Sequence, residues 1–122
     1  MSLTVREMTH EDEGQWDEFV RRSPAAVPHH LLGWREVIRN GYGLRPRYLV
    51  ARNSSGIVGV MPLFEVRSLL QGHHFTTPPG GICAQSTEAG LALLERAQDL
   101  VAESGALFLA IRDSRERWDA DL

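Results

Sequence analysis

The chain has one cysteine, Cys83, so no disulfide can form within it and the scaffold must rest on packing and hydrogen bonds. No apolar run approaches the roughly 20 residues that cross a bilayer, and Met1 to Thr9 lacks the apolar stretch of a signal peptide. Together these absences point to a cytoplasmic protein without a membrane span. Basic charge is not in excess, since 13 Lys and Arg stand against 16 Asp and Glu for a net charge of -3. Nothing therefore draws the chain generally to the phosphates of a nucleic-acid duplex or to an anionic lipid surface. Internal repeats, low-complexity tracts and inter-domain linkers are missing too, so the 122 residues are expected to form one domain around one core.

What is present is a globular composition, 43% hydrophobic and 24% charged. Leu3 to Met8 alternates as a short strand, and Thr9 followed by Asp12 forms a capping-box pattern that opens a first helix. Trp16, Phe19 and Val20 fall on one face of that helix, which Ser23-Pro24 closes. A second helix is predicted from His29, with Leu31, Trp34, Val37 and Ile38 on one stripe, ending at Gly41-Tyr42-Gly43. Arg47–Arg52 and Ile57–Val66 read as an antiparallel hairpin around Asn53-Ser54-Ser55-Gly56, with an edge or bulge at Pro62. His73 to Thr77 is a further strand.

Ser86 or Thr87 caps a third helix, with Leu93, Leu94, Ala97, Leu100 and Val101 at helical spacing and a stop at Ser104-Gly105. Ala106 to Ile111 is an uninterrupted apolar run, the pattern of a strand covered on both faces. The segment from Asp113 to Leu122 is charged apart from Trp118 and reads as a loose tail or an unfinished helix. The fold class is therefore mixed α/β, a mainly antiparallel sheet flanked by three helices. Its buried cluster is expected to include Phe19, Trp34, Leu49, Val60, Leu94 and Leu109.

The order strand, helix, helix, hairpin, strand, helix, strand is similar to the first part of the GNAT acyltransferase fold. Several pieces sharpen the likeness: His30 through Trp34 to Gly43, Tyr48-Leu49-Val50-Ala51, Val58-Gly59-Val60-Met61-Pro62-Leu63, Val66-Arg67-Ser68, Gly72 and Gly80-Gly81. In order and spacing these resemble the FemAB-like acyltransferases, which carry two tandem GNAT-like units, and the resemblance spans most of residues 16 to 112. It is closest to FemAB-like proteins found near exopolysaccharide and protein-sorting gene systems. Family members of known activity transfer amino acids from aminoacyl-tRNA to amines of peptidoglycan precursors, so the resemblance implies acyl transfer to an amine and a cell-envelope role. It also implies a half domain, because a GNAT unit continues through another helix and two strands after the fifth strand. Catalysis by the isolated chain is then expected to be incomplete.

The candidate substrate-binding residues are His30, Trp34, Arg67, Gly80 and Gly81. Gly80-Gly81 is either a close backbone approach to an acyl donor or a plain tight turn. His30 is equally a packing or capping residue at the start of helix two. Trp16 and Trp34 read most simply as core. Glu65 and Arg67 lie either on a groove or on a solvated strand face. The turn from Pro78 to Gln85 lacks the Arg/Gln-x-x-Gly-x-Gly/Ala pattern that presents amides to a pyrophosphate, so no acetyl-CoA cofactor is expected.

A metal is not expected either, since His73 and His74 alternate across a strand and neither they nor His29-His30 have Cys or Asp at ligand spacing. Cys83 is a core residue or, less simply, a nucleophile near a helix N-terminus. Two functions remain: a truncated or split FemAB-like N-acyltransferase domain supplying scaffold and part of an acceptor groove, or a non-enzymatic binding or assembly module. Leu107 to Ile111 has no proline or charge to protect a sheet edge. The expected partner is thus a second copy or a complementary GNAT-like chain.

Overall fold

Period-two alternation in the strands and 3.6-residue periodicity in the helices fix which side chains share a face, and the elements follow that pattern. The computed structural model describes residues 3–112 other than Ala25 and Gly43, and only the backbone of residues 40–42. In chain order it contains β1 (Thr4–Glu7), a 3-10 turn at His10–Asp12, α1 (Glu13–Arg22), a second 3-10 turn at Pro28–His30 and α2 (Gly33–Tyr42). There follow β2 (Arg45–Pro46), β3 (Leu49–Asn53), β4 (Gly56–Met61), β5 (Phe64–Ser68), β6 (Gly72–Thr76), β7 (Cys83–Ala84), α3 (Thr87–Ser104) and β8 (Phe108–Ala110). The segment from Asp113 to Leu122 and the expectation attached to it lie outside the described residues.

The strands form two four-stranded sheets, β1-β3-β4-β7 and β2-β5-β6-β8. Every pairing is antiparallel except that of β6 with β8. The sheets part where the chain predicts an irregularity. Pro62 has no N–H to give a ladder, so the long hairpin strand breaks at Pro62-Leu63; β4 stays with β3 while β5 joins β2 and β6. The return crossing lies between β6 and β7, through Pro78-Pro79-Gly80-Gly81.

Each face of the sheets carries its own core. On the α1 side Trp16 and Phe19 pack with Tyr48, Val50, Val60 and Phe64. On the α3 side Leu93 and Ala97 pack with Leu49, Met61, Leu63 and Phe75. Leu49 and Val50 thus divide between the two cores, as neighbours on a strand must. Ser86 Oγ accepts the Ala89 N–H at 3.1 Å to start α3, and Gly105 at φ 71 ends it in the left-handed conformation. Opposite Leu93, a Cβ added at Gly59 would sit 3.0 Å from the Leu93 Cδ1, so glycine lets the helix lie close on β4.

Four expectations are corrected. Trp34 is not in the core; it is 36% exposed, because Leu32 just before α2 and Ile38 within it pack into the α1-side core and leave Trp34 and Val37 to an open groove. Leu94 is only half-buried, since one position earlier Leu93 takes the sheet-facing place. Leu109 is likewise half-buried, packed at the margin of the α3-side core. The Ala106–Ile111 run is not covered on both faces: only Phe108–Ala110 is strand, its one partner among the described strands is β6, and Leu107 is 72% exposed. In addition, helix two does not start at His29, because a 3-10 turn and the Leu31-Leu32 link precede α2.

The shift from Leu94 to Leu93 is testable. Leu93→Ala is expected to cost about 2 to 5 kcal/mol of unfolding free energy. Leu91→Ala, on the exposed face, should stay within about 0.5 kcal/mol. Urea denaturation of both variants checks the helix orientation, and equal losses would refute it.

Candidate functional site

The apolar stripe of α2 faces the sheets across an open groove of about 1030 Å³. Trp34, Val37 and Ile38 form its helix wall; Phe64 and Val66 of β5, His74 and Thr76 of β6, and Phe108 and Ala110 of β8 form the other. The alternation of β5 and β6 sends these residues to one side, with Val66 opposite His74 and Phe64 opposite Thr76 in the register. Two aromatic pairs line the groove, one tilted at 31° and one stacked. On the helix wall His29 and Trp34 have ring centroids 4.5 Å apart, and on the sheet wall His74 lies over Phe108 at 4.5 Å and 14°.

The groove ends where two parallel strands part. Thr77 N–H donates to Ala110 O at 3.1 Å, and the Arg112 N–H donates to Thr77 Oγ1 at 2.9 Å. Beyond that point the chain after β6 crosses to pair β7 with β4, while β8 stops at Ala110. Thr77, Pro78, Pro79 and Arg112 close this end. Ligands in open α/β sheets characteristically sit at the carboxyl ends of parallel strands where the strand order divides.

Behind the groove, the fully buried His30 ties three segments together. Its Nδ1 accepts the Val27 N–H at 2.9 Å, so Nε2 carries the proton that it donates to Gly81 O at 3.0 Å. The His30 carbonyl accepts the Trp16 indole N–H at 2.7 Å. Burial pushes the imidazole below its ordinary value, and the bonded tautomer is the neutral one. Gly80, at φ 108, passes so near that a Cβ there would lie 2.9 Å from the ring and 2.5 Å from Val27 Cγ2. Gly81, at φ 57, packs on the backbone of Arg112. The pair is therefore a tight turn seated on His30 at the end of the groove.

Of the five sequence candidates, Trp34 alone lines the groove; His30, Gly80 and Gly81 hold its floor and end from behind. Arg67 stands on the opposite face of β5. There it pairs with the buried Glu65 at 3.2 Å, and the same carboxylate takes Arg47 at 3.0 Å and His73 at 2.6 Å. Burial opposes ionisation of Glu65, but His73 and the arginines prevail and hold its pKa below the usual value. His73 and His74 point to opposite faces, and among the described residues no three His, Cys, Asp or Glu side chains gather as a metal set. Cys83 is buried in the α1-side core. Sequence reasoning missed His74, Phe108, Thr77 and Arg112; strand alternation from His73 to Thr77 groups His74 with Thr76, but nothing local reveals that β8 lies beside them.

A second, polar pocket of about 280 Å³ is lined by Arg35, Glu36, Arg39, Arg47 and Tyr48. The Tyr48 hydroxyl is buried with no hydrogen-bond partner among the described residues, and burial raises its pKa, so the phenol stays protonated.

No protein-family model matches the chain, and no curated protein matches its sequence. Solved structures do match. The chain superposes on a ribosomal-protein-alanine N-acetyltransferase from Brucella melitensis biovar Abortus 2308 with a TM-score of 0.70 at 12% identity, covering 99% of this chain and 86% of that one. The fold is GNAT-like. A GNAT family acetyltransferase from Staphylococcus aureus subsp. aureus USA300_TCH1516 gives 0.67 at 10% identity over 94% and 89% of the two chains. A transcriptional regulator from Bacillus halodurans C-125 gives 0.69 at 19% identity over 98% and 87%. At such identities the likeness establishes the fold and leaves the chemistry to the site itself.

The neutral, buried His30 makes a pH prediction with a definite sign. A histidine whose folded pKa is depressed stabilises the fold fully above its unfolded pKa of about 6.5, and that contribution falls away as pH drops below it. The wild type should lose stability from about pH 6.5 to pH 5, and His30→Gln, which keeps a donor and an acceptor, should lose less over that interval. Urea unfolding across the range decides; equal slopes would show that His30 is not the group responsible.

Proposed function

We propose that this chain is a truncated or split FemAB-like N-acyltransferase domain that frames the groove in which an amine acceptor meets an acyl donor. The observation that carries this reading is the groove itself, running between α2 and the sheets to the point where β6 and β8 part at Thr77. An acyl carbon presented there is attacked by the acceptor nitrogen: a C–N bond forms, the donor's ester or thioester bond breaks, and the amine gives up a proton. Neighbours of the same fold are named as N-acetyltransferases. For this chain an aminoacyl ester is the better-supported donor, since Pro78 to Gln85 has no pyrophosphate-binding pattern.

The test offers labelled acetyl-CoA and labelled aminoacyl-tRNA in parallel to the purified chain, alone and combined with a complementary GNAT-like chain. Transfer is expected only from aminoacyl-tRNA and only in the combination. Val37→Glu, which puts a charge into the groove, should lower that transfer at least about tenfold, equivalent to about 1.4 kcal/mol of barrier. Saturable acetyl-CoA binding with turnover by the chain alone would overturn the reading.

A second reading, a non-enzymatic module that dimerises, is favoured by one observation. β8 has a free side among the described strands, with Leu107 and Phe108 exposed beside it, and such edges invite pairing with another chain. Sedimentation at micromolar concentration is expected to show a dimer that Phe108→Lys weakens without unfolding the monomer. A stable monomer whose β8 amides exchange slowly would count against it.

A further inference from the structure

We infer that the groove takes an acceptor with an anionic group, held at Arg112, and a flat ring or aliphatic body lying between the two aromatic pairs. This rests on the acyl-transfer reading of the same groove and names the class of acceptor. Charge is the first argument. Among the described lining residues, Arg112 is the one with a permanent charge, and none is a carboxylate. The nearby carboxylate of Glu65 lies on the other face of β5, where Arg47, Arg67 and His73 already occupy it. A ligand ammonium entering the groove thus leaves water without an opposite charge to meet, which is costly. A ligand carboxylate or phosphate meets a guanidinium that can bind it through two parallel hydrogen bonds.

Shape is the second argument. The tilted His29–Trp34 pair on one wall and the His74–Phe108 stack on the other present ring faces and edges, with Val37, Val66 and Ile38 between them. Such walls hold a flat or aliphatic body through dispersion and apolar burial. They give no fixed negative group to orient a simple cationic amine. The nucleophilic nitrogen must be neutral to react, so recognition through the acceptor's other end suits the chemistry.

A matched pair of ring compounds tests this without any transfer: indole-3-acetate and tryptamine share the ring and differ in the sign of the side-chain charge. In NMR titrations at low salt, indole-3-acetate should bind at least about tenfold more tightly, a difference of about 1.4 kcal/mol. Arg112→Gln should bring the two near parity, Arg112→Lys should restore part of the gap, and Trp34→Ala should weaken both. Arg112 and Trp34 are exposed, and circular dichroism checks that each variant is folded. Equal or tighter binding of tryptamine, a gap that survives Arg112→Gln, or no binding of either compound would each overturn the inference. The charge preference without aminoacyl transfer would sink the acyltransferase reading alone; transfer without the preference would sink only the acceptor class.

Discussion

The His30 imidazole is the point on which the arrangement of this chain depends. One ring bonds the backbone of the α1–α2 connector through Nδ1 and the turn between the two sheets through Nε2. Its own carbonyl anchors the indole of Trp16, which stacks on Tyr48 at 5.1 Å in the α1-side core. Both ring nitrogens and the carbonyl are satisfied only when these three segments are in place together, and an unpaired group at such depth costs about 1 to 3 kcal/mol. Removing the side chain would thus loosen the seat of α2 and the end of the groove together. The ring must also remain neutral, since both bonds belong to the uncharged tautomer.

The groove follows from two bends in long strands. Pro62 interrupts the first and Gly80-Gly81 turns the second, so β4 and β7 stay in one sheet while β5 and β6 enter the other. An unbroken sheet would let α2 settle its apolar stripe against a continuous surface. With the strands diverging, the stripe remains partly unfilled, and Trp34 and Val37 stay exposed to the space between. The parallel contact of β6 with β8 fixes where the opening ends, because Thr77 makes the last cross-strand bonds.

Much of this was legible from the residues. Element types, the break at Pro62, the Ser86 cap and the glycine stop all follow from local chemistry, and the mixed α/β class with three helices follows from their order. Local periodicity does not say whether an apolar face is covered. Trp34 belongs to a regular stripe, and only the tertiary divergence of the strands leaves it facing a groove. The Ala106–Ile111 run failed in the same way, because apolar continuity cannot distinguish a central strand from a short edge strand. The sequence leaves Arg67 open between a groove and a solvated strand face; alternation sets it opposite Val66, and which of the two faces the groove takes is set by α2, earlier in the chain. His30 reads as either a binding or a packing residue, and in the structure both its ring nitrogens bond backbone groups.

Charge is segregated between the two faces of the same strands. All thirteen basic residues are arginine, and several of them surround two buried carboxylates. Arg6 and Arg52 meet Asp12, whose hydrogen bonds to Arg6 and Thr9 hold its pKa at about 2 despite burial. Arg47 and Arg67 meet Glu65. The planar guanidinium fork suits such networks because one side chain can satisfy several lone pairs of a buried carboxylate. These networks consume the carboxylates of β5 and of the α1 entry turn, on surfaces away from the groove. The groove is left apolar and aromatic with Arg112 at its closed end. Structural ion pairing and ligand selection are therefore linked: with its acidic groups committed elsewhere, the groove is left to discriminate by ring stacking and one positive charge.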